Sequence, residues 1–208
     1  MSVQHKIHSQ QIYCCADSAL IEEQKACMER LYDYNQSRPS ETEKRGQLLH
    51  DILASAGKDC YVEPPLRANW GRHTSVGDYF YANFNLTLVD DTYITIGNYV
   101  MIGPNVTLST AGHPIDPDTR KRAAQFNIPI VIQDNVWIGA NVVVLPGVTI
   151  GENSVIGAGS IVTKDVPANV VAVGNPCKVL REIGERDKQF YYRDKRFDPE
   201  SLINQTES

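Results

Sequence analysis

A spacing of six residues constrains this chain more than any other feature. Every sixth position from Ile132 is a β-branched aliphatic: Ile132, Ile138, Val144, Ile150, Ile156 and Val162. Four places beyond each stand small residues, Val136, Val142, Val148, Ser154, Ser160 and Val166. Neither a helix of period 3.6 nor a strand of period two places residues four apart and then repeats the pair every six. A corner every six residues does. If each hexad is a short strand ending in a tight turn, three hexads close a triangular coil, and coils stack with like side chains over like. Backbones of adjacent coils then lie about 4.8 Å apart and pair their amides. Gly139, Gly151 and Gly157 each follow an anchor residue, where a corner needs positive φ or leaves no room for a Cβ. The predicted fold is mostly β, a parallel β-helix of hexapeptide repeats.

The beat starts irregularly after Val62, at Val76, Ala82 and Leu88, and comes into phase at Ile96, Ile102 and Leu108. It is lost from Ser109 to Asn127, a polar stretch that holds His113, Pro114 and Pro117, and it resumes at Ile132. A loop of that length inside a compact repeat is usually functional. Before the repeats, Leu20, Cys27, Met28, Leu31 and Tyr32 predict an amphipathic helix over Ala19 to Asn35, with Asp17 or Ser18 as its N-cap. Arg38-Pro39 breaks it, and Ser40 with Glu43 reads as a capping box for a second helix ending near Gly57. The pair is expected to cover the open strand edges of the first coil. The segment Lys178 to Phe197 is charged and predicted helical, with a frayed tail from Asp198. The expected division is a helical cap over residues 1–60, a β-helix over 61–180 carrying the 109–127 loop, and a C-terminal helix and tail over 181–208.

With a net charge of −5 there is no broad basic field, which argues against nucleic acid or an anionic membrane as the main partner. The N-terminus lacks a signal-peptide apolar core and no run approaches 18 apolar residues, so a soluble cytoplasmic protein is expected. Cys14, Cys15, Cys27, Cys60 and Cys177 are odd in number and form no C-x-x-C pair. That pattern indicates reduced thiols, with neither a disulfide framework nor a metal site.

The run NVWIGANVVVLPGVTIGENSVIGAGSIVTKDVPANVVAVGNPCKV, Asn135 to Val179, resembles the left-handed β-helix of hexapeptide acyltransferases, and most of all that of galactoside and maltose O-acetyltransferases. The block YDYNQSRPSETEKR, Tyr32 to Arg45, is similar to their N-terminal segment. The left hand is implied by this resemblance alone, since the general preference for right-handed crossovers argues the other way. The resemblance implies acetyl-CoA-dependent transfer to a sugar hydroxyl, the 6-hydroxyl of a galactoside, glucoside or maltose-like acceptor. It further implies a homotrimer with acetyl-CoA in a cleft between neighbouring coils.

His113 stands in S-T-A-G-H-P. A neutral imidazole can take the proton from an alcohol as the oxygen attacks an acyl carbonyl. On its own a histidine beside a glycine reads equally as a loop residue; Gly112-His113-Pro114 coincides with the family motif that carries the catalytic base. The stretch YFYANFNLTLVDD, Tyr79 to Asp91, resembles the acceptor-facing segment, which implies sugar contacts from Tyr81, Asn83 and Asp91, with Asn83 also close to the reacting hydroxyl. Planar amides, a carboxylate and an aromatic face suit a sugar, although N-F-N also reads as a solvated corner of the coil. The implied acetyl-CoA contacts are Trp137, Ala140, Ala158, Thr163, Lys164, Lys178 and Arg181. Lys164, Lys178 and Arg181 would meet phosphates, and the Ala140 amide would face an oxyanion. Trp137 points outward, as a contact surface or as packing under the 109–127 loop. Three further acceptor positions depart from the family pattern. Asn69 and Gln125 replace other residue types, and the acidic residue near the N-terminus falls on Asp17 only if the alignment shifts past Cys14-Cys15-Ala16.

Three rivals share the coil. One is an acyltransferase for serine, an antibiotic or a nodulation-type oligosaccharide, and another is a non-catalytic binding module. The third is a zinc hydratase like the γ carbonic anhydrases, for which His5, His8, His50, His73 and His113 lack paired spacing.

Overall fold

The computed structural model describes residues 3–198. After a short helix α1 (Val3–Ile7) come the helices α2 (Ser18–Gln36) and α3 (Thr42–Ile52), and then a three-sided prism of short parallel strands. Its first face stacks Ser55–Ala56, Thr74–Val76, Ile94–Ile96, Ile130–Ile132 and Thr149–Ile150. The second stacks Tyr61–Val62, Tyr81–Ala82, Met101–Ile102, Trp137–Ile138, Val155–Ile156 and Val170–Val173. The third stacks Leu66–Ala68, Leu86–Val89, Thr107–Ser109, Val143–Val144 and Ile161–Val162.

Registers follow the hexads: Ile96, Ile132 and Ile150 pair in sequence on the first face, and Ile102, Ile138 and Ile156 on the second. These anchors are buried, as are the residues four further on, so both positions of each hexad point inward. Where that second position is a serine the hydroxyl is satisfied, Ser154 donating to Pro167 O and Ser160 to Gly157 O. Corners between the first two faces put Tyr79, Tyr99, Asn135, Asn153 and Asn169 at positive φ, which asparagine tolerates well. There Asn135 donates to Asn153 and Asn153 to Asn169, each at 2.9 Å. Gly139 is required by packing: a Cβ would lie 2.6 Å from Ala158 N of the next coil.

Helix α2 is capped by Asp17 and buries Leu20, Cys27, Leu31 and Tyr34. It closes the first coil chemically as well as sterically. Asn35 donates to Leu66 O and accepts from Leu66 N, while Tyr34 donates to Val62 O at 2.6 Å, so the exposed strand ends have partners.

Four expectations are revised. The Ser40–Glu43 capping box does not form; α3 starts at Thr42 behind Glu41, whose carboxylate accepts from Arg38 N of the preceding turn. That helix ends at Ile52 rather than near Gly57, because Ser55–Ala56 already pairs with the next coil and the prism begins inside the segment assigned to the cap. The stretch from Lys178 is not one helix. Lys178–Glu182 runs antiparallel to Val170–Val173 and covers the last open edge of the second face. A five-residue helix α5 (Glu185–Gln189) and a hairpin of Phe190–Tyr192 with Lys195–Arg196 follow, while a four-residue helix α4 (Pro117–Arg120) lies earlier, in the 109–127 segment. Finally, the 109–127 loop is a structured hairpin. The tail from residue 199 onward lies outside the described residues. Among the described residues no helix is long and apolar enough to cross a membrane.

Candidate active site

The hairpin leaves the prism at the corner between the third and first faces. Ala111–Gly112 goes out, α4 turns the chain, and Ala124–Asn127 returns antiparallel, with Gly112 opposite Phe126. Continuing that register places His113 opposite Gln125. Both flanking residues have a local reason. A Cβ on Gly112 would lie 2.7 Å from Phe126 Cζ, and Pro114 holds the residue before it extended. The turn is tied by Asp116, which accepts from Thr119 N, and by Arg120, which donates to Pro114 O and Ile115 O. On its far edge the return strand pairs with Tyr13–Cys14, Tyr13 opposite Gln125, so the N-terminal segment is the third strand of this small sheet.

His113 is exposed in the single chain, and its Nδ1 lies 2.8 Å from Ala124 O. A carbonyl only accepts, so Nδ1 carries the proton and Nε2 keeps its lone pair. Beside it runs a line of buried and half-buried polar groups. Asp91 accepts from Asn69 Nδ2 at 2.8 Å and from Gln125 Nε2 at 2.9 Å. Gln125 Nε2 also lies 2.6 Å from Tyr13 Oη and 3.0 Å from Asn127 Oδ1. Beneath them Asp90, fully buried, accepts from Asn69 N, Trp70 N and Thr74 Oγ1; burial pushes its carboxyl up to about 7. Burial likewise raises the Tyr13 phenol to about 12, so it remains a neutral hydroxyl.

The structure therefore brings His113, Asp91, Asn69 and Gln125 to one corner. It does not bring Tyr81 and Asn83 there. Those two face each other at the corner between the second and third faces, Asn83 Nδ2 donating to Tyr81 Oη at 3.2 Å. The strand Leu86–Val89 lies between them and Asp91, a span on the order of 15 Å or more. Trp137 is 52% exposed on the second face, away from the hairpin, so packing under the loop is not its role. It continues an outward row of Tyr61, Tyr81, Met101, Trp137, Val155 and Val171 paired strand to strand.

Ala140 and Ala158 occupy stacked corners beside that row, and neither amide donates to a group among the described residues. Lys178 and Arg181 are exposed on the second face's last strand, where Asp187 already holds Arg181 through two 2.7 Å hydrogen bonds. Thr163 and Lys164 are exposed where the chain leaves the third face, at the corner type that bears His113. Asp17 spends its carboxylate on Ala19 N as a helix cap. The N-terminal side chains that feel the Asp91 charge include Tyr13 and Cys15, the Cys15 thiol being raised by burial, by Cys14 and by that carboxylate. Among the described residues no cluster of three or more His, Cys, Asp or Glu is placed to hold a metal.

Tyr13, Cys15, Asn127 and Asp90 escaped the sequence reading. The local signal for Tyr13, Cys15 and Asn127 is the alternation in Tyr13-Cys14-Cys15 and Gln125-Phe126-Asn127, runs too short to stand out from a loop, and Asp90 sits unmarked beside Asp91.

Two family models match the chain: the bacterial transferase hexapeptide (six repeats) over residues 129–164, and the maltose acetyltransferase hexapeptide capping motif over residues 6–57. A galactoside O-acetyltransferase of Escherichia coli (strain K12) is 56% identical over 164 residues, covering 79% of this chain and 81% of that protein. Among solved structures, a galactoside acetyltransferase in complex with coenzyme A superposes with a TM-score of 0.92 at 48% identity, covering 95% of this chain and 99% of the other. A maltose O-acetyltransferase from Clostridium difficile 630 gives 0.87 at 43% identity, covering 89% and 99%. The prism shares the left-handed coil of these structures.

Proposed function

Because the chain belongs to the hexapeptide-repeat family of galactoside and maltose O-acetyltransferases, we propose that His113 is its general base, working in a site that two copies of the chain build together. The enzyme is an acyltransferase that moves acetyl from acetyl-CoA to a sugar hydroxyl. The observation that carries the base assignment is the 2.8 Å contact between His113 Nδ1 and Ala124 O, which leaves Nε2 free to accept a proton. Acetyl-CoA supplies the activated acyl group. Nε2 removes the proton of the attacking hydroxyl, and after the thioester bond breaks the protonated ring returns it to the departing sulfur. No acyl-enzyme is needed.

The groups expected to meet acetyl-CoA have the right chemistry. The unengaged amides of Ala140 and Ala158 offer donors, the first to the oxygen on which negative charge develops. Trp137 offers an exposed aromatic face, and Thr163, Lys164, Lys178 and Arg181 offer polar and cationic contacts for phosphates. Asn69, Asp91 and Gln125 supply the directed hydrogen bonds of an acceptor site, which suits a sugar attacked at its 6-hydroxyl.

Tyr81 and Asn83 stand one prism face away from His113, so they reach the same acceptor only from a neighbouring copy. That separation supports a homotrimer with the acetyl-CoA cleft between coils, and the row from Tyr61 to Val171, exposed at Tyr61, Met101 and Trp137, is the face such a neighbour would cover. Five free thiols fit a cytoplasmic enzyme. His113→Ala tests the reading: CoA release with methyl β-galactoside, methyl glucoside or maltose should fall about 10²- to 10⁴-fold, while trimer mass and CoA affinity stay unchanged. Turnover near wild type in that variant refutes the assignment.

A further inference from the structure

The orientation of one side-chain amide in the acceptor corner is fixed from a distance. Gln125 is 6% exposed, and its Nε2 faces Tyr13 Oη at 2.6 Å, Asp91 Oδ1 at 2.9 Å and Asn127 Oδ1 at 3.0 Å. Asp91 and Asn127 Oδ1 only accept, so the nitrogen end of the amide must point at them. Asn127 cannot rotate to relieve the crowding, because its Nδ2 is committed to Ile7 O at 3.0 Å, Tyr13 Oη at 3.0 Å and Asp91 O at 3.2 Å. With both N–H groups spoken for, Gln125 has only its carbonyl left. Among the described residues nothing donates to Gln125 Oε1, and that atom is not fully sealed from solvent.

We propose that Tyr13 is a positioning residue for acceptor specificity. With Asp91 and Asn127 it turns the Gln125 amide so that Oε1 alone faces the acceptor, selecting a sugar that presents a hydroxyl donor there. This rests on the sugar-acetyltransferase reading and adds which hydrogen-bond polarity one acceptor contact must have. The hydroxyl meant is a binding one, distinct from the hydroxyl that is acetylated. Tyr13 reaches the site because its strand pairs residue for residue with that of Gln125. An acceptor lacking the donor would leave a nearly buried carbonyl unpaired.

The test is a double-mutant cycle on KM with methyl β-galactoside and its monodeoxy analogues, scored by CoA release. In the wild-type enzyme, deleting one non-reacting hydroxyl should raise KM about 5- to 30-fold. In Gln125→Met that penalty should shrink to under about twofold, the coupling expected of groups in contact. Tyr13→Phe should shrink the same position's penalty and raise KM for the parent sugar, with kcat and the acetyl-CoA KM within about twofold of wild type. A merely structural tyrosine would lower thermal stability and change every deoxy analogue alike. That result, or a penalty independent of residue 125, overturns the proposal. If the wild-type enzyme acetylates none of the parent sugars, the sugar reading itself fails and takes this one with it.

Discussion

His113, Asp91 and Asp90 show how little the ionisable groups here depend on their sequence neighbours. His113 takes its tautomer from a carbonyl eleven positions on, and Asp91 is held between side chains from Asn69 and Gln125. Asp90 is the clearest test of such burial. Its carboxyl stands at about 7 in the fold against 3.8 when unfolded, so the folded chain keeps a proton that the unfolded chain gives up. Its contribution to stability is therefore full below about pH 4 and is lost as pH rises towards 7. Asp90→Asn should remove that slope, and the difference between variant and wild-type Tm should change steadily from pH 4 to 7; a constant difference argues against a protonated Asp90. Gly112→Ala should cost more than ~1 kcal/mol, since the new Cβ meets the Phe126 ring, and should lower kcat about tenfold or more by moving His113. Thermal unfolding and initial rates check both halves. The motif Gly112-His113-Pro114 could be picked out in the sequence, but the partner that sets its chemistry could not, because Ala124 carries no distinguishing side chain.

Secondary elements were readable where a period ran long enough. Hexads from Ile96 to Leu108 and from Ile132 to Val166 marked inward residues of the coils, since every face reads the same two positions and successive coils repeat them. Ile138 lies fully buried in the middle of its column, and Ile138→Ala should destabilise by about 2–5 kcal/mol. Chemical denaturation measures this, and a cost below ~1 kcal/mol would mean the column relaxes freely. Elements decided by pairing were misjudged. The Lys178–Glu182 strand is charged and wholly exposed, with no alternation to announce it, and forms because the last parallel strand leaves an edge to cover. Likewise Ser55–Ala56 has no strand signal of its own and exists as the partner of Ser75–Val76. Ser40 and Glu43 had the spacing of a capping box, but Glu41 begins the helix while bound to the preceding turn.

At the scale of the whole molecule, one chain splits the residues expected to act together. His113, Asp91, Asn69 and Gln125 gather at one corner of the prism; Tyr81, Asn83, Trp137 and Ala140 line another. A site assembled across copies makes a prediction that a self-contained site does not. His113→Ala and Asn83→Ala, each inactive as a homotrimer, should recover about a quarter of wild-type activity when co-expressed in equal amounts, because one site in four then draws both intact residues. Rates of the purified mixed trimers decide it. No recovery means that both residues serve the same chain.

The sequence by itself determined the coil and its inward residues and singled out the Gly112-His113-Pro114 motif, since a six-residue period and a short motif are local patterns that survive without coordinates. Only the tertiary structure decided which nitrogen of His113 is free, which way Gln125 faces, and that Asp17 caps a helix while Tyr13 reaches Gln125. Those depend on hydrogen bonds between residues far apart in the chain, and no spacing along it encodes where a folded corner will place them.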